Sequence, residues 1–225
     1  MRVLPFVAFG LALLHGAELG HAASCQLSEP ERATVASVKD AETLELTDGT
    51  IVRLIGAKTP QTPLGWHGDE PWPLVAEAGD MTKRLASGAE VELRFGGNRT
   101  DRHGYKLAQV YVLRDGTLQW LQQELVKAGL ARVYSFRDNR TCVEALLAEE
   151  AEARAAKRGI WNSWAYRVLD AADTEKLSRL SHSYQLVEGV VAAAPTATCQ
   201  VRGTVRGDSP TAAVPSRGLQ GVTPR

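Results

Sequence analysis

The chain carries no net charge: Lys+Arg and Asp+Glu each number 26. Proteins that hold nucleic acid by a broad electrostatic surface carry a basic excess. That class is disfavoured here, and only a small basic cleft stays open. Cysteine is scarce, with Cys25, Cys142 and Cys199 alone. They form no Cys-x-x-Cys, and no Cys/His spacing suggests zinc. No Gly-rich phosphate loop and no Ser/His/Asp order stands out. The apolar run Val3 to Leu14, interrupted by Pro5 and Gly10, is too short to span a bilayer.

That run reads instead as an export signal. Arg2 supplies the positive start, and Gly20-His21-Ala22 supplies small residues at a cleavage point. Residues 1–22 are therefore expected to be a signal peptide, and the mature chain to be periplasmic or secreted with no transmembrane segment. A buried N-terminal helix is the alternative reading. A lipoprotein signal would need Leu three places before Cys25, where Ala22 stands. Export implies an oxidising compartment, in which thiols pair. Cys25 and Cys142 are expected to form a disulfide, which leaves Cys199 over.

The chain is 225 residues long and 44% hydrophobic, enough for one domain with a real core plus extensions. Apolar alternation predicts strands over Ala33 to Lys39, Thr43 to Leu46, Ile51 to Ile55, Glu90 to Phe95 and Lys106 to Leu113. Asp48-Gly49 between the second and third is a hairpin signal whose two turn positions both require positive φ. Helices are predicted over Pro73 to Ala86, with Pro at an N1-like position, and over Leu118 to Ala128, with Thr117 as N-cap and Gly129 as stop. A third runs from Thr141 to Arg158. It opens with a Thr141-x-x-Glu144 capping box and buries Val143, Leu146, Leu147 and Ala151. It places Glu150 and Arg154 together on the surface and stops at Gly159-Ile160.

The fold class expected from this order is α+β: a single-domain, five-stranded OB-fold barrel with three helices. Residues 23–32 form a lead, 33–166 the barrel domain and 167–191 an extension, in which Tyr184 to Val191 looks like the start of a strand. Residues 192–225 have too few large apolar side chains to offset their ordering entropy, so a disordered tail is expected there. A truncated or frame-shifted second domain is the other reading of that tail.

Four anchors now stand in order with matching spacing. They are Val52-Arg53-Leu54-Ile55-Gly56 with Thr59-Pro60, Arg99 to Gly104, Glu124 to Val133, and Gly159-Ile160-Trp161. Over roughly Ala33 to Trp164 the chain resembles the staphylococcal nuclease-like (thermonuclease) family. The resemblance implies calcium-dependent hydrolysis of nucleic-acid phosphodiesters. In that family calcium sits on two carboxylates, a glutamate activates water, and two arginines hold the phosphate. The first metal carboxylate falls on Glu42 and the first arginine on Arg53, so both residue types are kept. The second carboxylate falls on Lys58, the general base on Gln61 and the second arginine on Tyr105.

These replacements change the chemistry. Swapping −1 for +1 about 4 Å from a +2 ion costs up to roughly 16 kcal/mol at an effective dielectric near 20. A weak extracellular calcium site is worth only about 4–6 kcal/mol. Gln61 cannot accept a proton, and a missing base costs about 10²–10⁴ in rate. The neutral Tyr105 hydroxyl cannot replace a guanidinium fork. The expectation is a non-catalytic binding module without a metal or other cofactor. It would hold nucleic acid or another anionic ligand weakly through Arg53 and Tyr105, with Tyr134 and Trp66 beside them. The alternative is a divergent nuclease with a rebuilt site drawn from Asp40, Asp69, Glu70 and Asp101. Trp66 and Trp72 either stack on a ligand or pin their Pro/Gly loop. Tyr134 and Phe136 either border the ligand or pack in the core. With no metal present, Glu42 is expected to pair with Arg53 or Lys58.

Overall fold

The computed structural model describes residues 25–180, 185–190 and 204–205. The expected signal peptide, Cys199 and most of the expected tail lie outside them.

Alternation of inward Val and Leu with outward polar residues builds a closed barrel. Strand β1 (Glu31–Asp40) pairs antiparallel with β2 (Thr43–Leu46), and β2 with β3 (Ile51–Leu54). The other edge of β1 pairs with β5 (Glu90–Arg94), and β5 with β6 (Lys106–Arg114). β3 then runs parallel to β6, with Arg53 opposite Leu107, and this pairing removes the last open edge. β1 can serve both neighbours because its register with β2 shifts between Val35 and Ser37 and again before Asp40. Such bulges bend a strand and increase its twist. Leu44, Val52, Val110 and Leu93 fill the interior at 1% exposure or less. The five-stranded OB-like barrel in a single domain is thus the observed fold.

Two Asp-Gly pairs make two different turns. At Asp48-Gly49 only Gly49 has positive φ, at +81°. Gly49 N–H donates to Leu46 O and Leu46 N–H to Thr50 O, both at 2.9 Å. This is a three-residue turn with one left-handed position, not the two-residue turn expected there. That turn occurs instead at Asp115-Gly116, where φ is +49° and +76°. It joins β6 to β7 (Thr117–Trp120), with Arg114 opposite Thr117.

β7 corrects the second predicted helix. Thr117 is no N-cap, because residues 117–120 extend to pair with β6, and helix α2 spans only Leu121–Lys127. It does stop at Gly129, whose φ is +71°. Helix α1 spans Val75–Ala86, so Pro73 lies outside it.

Helix α3 spans Val143–Ala155, and Cys142 at φ +72° precedes it without a side-chain cap. The expected capping box does not form: the Thr141 hydroxyl donates to Gly96 O at 2.6 Å instead. The buried face is Val143, Leu146, Glu150 and Ala153, not Leu147 and Ala151. Glu150 is therefore no surface residue, and it accepts a hydrogen bond from Val133 N–H at 2.5 Å. The Schellman stop falls at Lys157, φ +51°, where Arg158 N–H reaches Ala153 O and Lys157 N–H reaches Arg154 O, both at 3.0 Å.

Gly159 has another task. It meets Gly129 backbone to backbone, and Ile160 N–H donates to Gly129 O at 2.8 Å. A Cβ on Gly129 would stand 2.3 Å from Arg158 O, and one on Gly159 would stand 2.2 Å from Gly129 O. Cys25 and Cys142 are bonded, with Cα atoms 4.7 Å apart, which ties the N-terminal lead to the start of α3.

Beyond the barrel, β4 (Gly56–Lys58) pairs antiparallel with β8 (Arg132–Tyr134). In the extension, β9 (Leu169–Asp170) precedes helix α4 (Thr174–Arg179), and β10 (Val187–Gly189) runs parallel to β9. A two-residue strand at Thr204–Val205 pairs parallel with β10, so the segment expected to lack structure includes one described pairing.

Candidate functional site

Three pieces of backbone converge at one end of the barrel. They are the β1–β2 turn, the exit from β4, and the loop before β6. Glu42 sits in the first, only 5% exposed. Its backbone N–H is held by Asp40 Oδ1 at 2.7 Å, and its carbonyl accepts Leu54 N–H at 2.8 Å. The carboxylate therefore points where the backbone aims it. There it meets Lys58 and Thr59. Lys58 Nζ lies 3.1 Å from Oε2, while Thr59 N–H and the Thr59 hydroxyl donate to Oε1 at 2.6 and 3.0 Å. A buried carboxylate is tolerated when its lone pairs are filled and a cation stands beside it. Both conditions hold for Glu42.

Arg53 lies on β3 and does not reach Glu42. Its Nη1 stands 3.9 Å from Asp101 Oδ2. Asp101 in turn shapes the loop before β6, accepting His103 N–H at 2.8 Å and Tyr105 N–H at 3.0 Å through Oδ1. The expected pairing of Glu42 is thus with Lys58, and Arg53 forms a second, looser pair nearby. Arg53 keeps 41% of its side chain exposed. Tyr105 is 37% exposed and lies near the His103 ring.

Gln61 is exposed, two residues beyond Thr59. The loop that follows is pinned by its own aromatics. Trp66 Nε1 donates to Glu70 O at 3.1 Å, and its ring meets Trp72 edge-on at 4.9 Å. Trp72 is buried at 9% exposure against Ile160 and Tyr166. Trp66 remains 40% exposed. Tyr134 pairs through its backbone with Gly56, and its ring meets the half-exposed Phe136 at 5.0 Å.

Asp40, Asp69, Glu70 and Asp101 are not gathered. Among the described residues, no group of three or more His, Cys, Asp or Glu side chains could hold a metal ion. Sequence reasoning missed Thr59 as a partner of Glu42. The signal available was Pro60, which biases the residue before it away from helical geometry and leaves its N–H free to point elsewhere.

A barrel of this topology defines an OB-fold protein. The family model described as "Staphylococcal nuclease homologue" matches residues 51–163, and the chain belongs to that family. The thermonuclease of Staphylococcus hyicus is 30% identical over 112 residues, which are 50% of this chain and 63% of the relative. An uncharacterized protein of Bacillus anthracis is 29% identical over 139 residues, 60% of this chain and 62% of the relative. The chain spans less than two thirds of the length of each. Among the described residues, no helix is long and apolar enough to cross a membrane.

Proposed function

We propose that this protein is an exported nuclease-family module that has lost calcium-dependent hydrolysis. It uses the old cleft to hold an anionic ligand, such as single-stranded nucleic acid, weakly. One observation carries the reading: the ammonium of Lys58 lies 3.1 Å from the buried Glu42 carboxylate. The positive charge that a metal ion would bring to Glu42 is already there, supplied by an ammonium where a second carboxylate would be needed. Both oxygens of Glu42 are also occupied, one by Lys58 and one by Thr59. Calcium requires several hard anionic oxygens free to coordinate, and the donor set around Glu42 does not fit it.

The remaining groups support binding rather than hydrolysis. Gln61 has no proton-accepting carboxylate to activate water. Tyr105 presents a neutral hydroxyl where a second guanidinium would stabilise charge on the phosphoryl oxygens. Arg53 is half-exposed and held only loosely by Asp101, so it can turn toward a phosphate. A single guanidinium gives modest, salt-sensitive affinity.

The direct test incubates the purified mature chain with single-stranded DNA, with calcium or with a chelator. No difference between the two is expected. Degradation that calcium stimulates and the chelator suppresses would replace it with a divergent nuclease.

A further inference from the structure

At the exit from β4 lies a cavity of about 340 Å³. Neither Arg53 nor Tyr105 lines it. Its walls include Lys58, Thr59, Gln61, Trp72, Arg132 and Tyr166. Among the described residues that line it are two cations and no carboxylate.

The two cations stand directly opposite each other, Lys58 on β4 and Arg132 on β8. Like charges facing across an antiparallel pair are unfavourable. Glu42 offsets the charge of Lys58 from behind. Arg132 is only 2% exposed. Its Nη2 donates to Tyr166 O at 2.5 Å, and its guanidinium stands 5.3 Å from the Tyr166 ring and 5.8 Å from the Trp161 ring. Glu150 interacts with the charge of Arg132, and the fold orients this buried guanidinium beside an open cavity. Trp72 and Tyr166 add two flat apolar walls, each 9% exposed, and the volume falls in the range of small-molecule sites.

We propose that this cavity binds a small organic anion, a carboxylate or phosphate ester carried on a flat apolar body. The charge lies toward Lys58 and Arg132, and the body lies between Trp72 and Tyr166. The cavity shares Lys58, Thr59 and Gln61 with the candidate site but not Arg53 or Tyr105, and ligand binding there does not depend on whether hydrolysis is lost.

The test titrates the full chain with benzoate, phenyl phosphate and neutral benzyl alcohol, read by two-dimensional NMR. The Trp72 indole and the Ala165 amide shift saturably with at least one of the two anions, about tenfold more tightly than with benzyl alcohol. The tighter anion identifies the head group as carboxylate or phosphate. Arg132→Gln weakens that binding by about tenfold. Should R132Q fail to fold, Ala165→Phe carries the test by filling the cavity from its wall and abolishing the shifts. The proposal is overturned by absence of saturable shifts, by equal affinity for benzyl alcohol, by A165F binding as the parent does, or by shifts confined to Arg53 and Tyr105.

Discussion

Lys58 Nζ stands 3.1 Å from Glu42 Oε2, in a pocket that leaves the carboxylate side chain only 6% exposed. An exposed ion pair contributes little, but this one compensates a charge that water cannot reach. Lys58→Met should therefore destabilise the protein by about 2–4 kcal/mol, near the lower end of the range for stranding a buried charge, because the two Thr59 bonds remain. Adding Glu42→Gln to Lys58→Met should recover part of the loss. Urea denaturation of the two single variants and the double variant measures the coupling. Additive losses would show that the pair has no energetic role.

Glu150 gives the fold a pH dependence of unusual sign for a carboxylate. Burial raises its pKa above the ordinary carboxylate value of 4.5, and the hydrogen bond from Val133 N–H only partly opposes this. A raised folded-state pKa means that the native protein binds the proton more tightly than the unfolded chain. Stability from this group is full below about 4.5 and is lost as pH rises through the folded-state value. Glu150→Gln keeps an oxygen for Val133 and removes the ionisation. It should flatten the fall in stability just above pH 4.5, measured by thermal melts across that interval. Glu31 acts in the opposite direction. Its hydrogen bond from Lys106 leads the causes that lower its pKa, so its contribution is present at neutral pH and is lost on acidification.

How the sequence foreshadowed this structure is clearest in the barrel. Val91, Leu93, Val110 and Val112 alternate strictly because each strand has one wet and one dry face, and all four are buried at 2% or less. Leu118, Leu121 and Leu125 fit a helical stripe equally well, yet residues 117–120 extend, because pairing with β6 overrides local preference. Likewise Glu150 reads as a surface residue until Val133 N–H, 17 residues earlier in the chain, claims its carboxylate. In the candidate site the identities of Glu42, Arg53, Lys58, Gln61 and Tyr105 were legible, and Lys58 was one of the two partners expected for Glu42, but Thr59 and the Arg53–Asp101 pair were not. Nothing local tells that Arg53 would face Asp101, 48 residues away, rather than Glu42. That choice follows from β3 lying beside β6.

The Cys25–Cys142 bond closes a loop with a sequence separation of 117 residues. A cross-link of that span removes chain entropy from the unfolded state, worth about 2–4 kcal/mol in practice. Cys25→Ser should lower the melting temperature of the oxidised protein, and a reductant should lower that of the parent but not of the variant. Non-reduced mass spectrometry that finds free thiols at both positions would contradict this.

Gly129→Ala should be costly for a different reason. The new methyl would meet Arg158 O, a backbone atom that cannot swing away, at a φ of +71°. A loss of about 2–4 kcal/mol is expected from strain and displacement of the Ile160 turn. Gly88→Ala is the control, since it has a similar φ of +70° but nothing within 4 Å of the added Cβ. It should cost only the backbone penalty of about 1 kcal/mol. Equal losses would show that the Gly129–Gly159 contact does not matter.

In the proposed reading of the site, Lys58 has taken the place of a metal at Glu42. Calorimetric titration of calcium into the parent protein and into Lys58→Asp tests it most directly. No binding heat is expected from the parent, and a measurable, weak site in K58D, where two carboxylates and no ammonium would face each other. Saturable calcium binding by the parent, lost in Glu42→Gln, would contradict it.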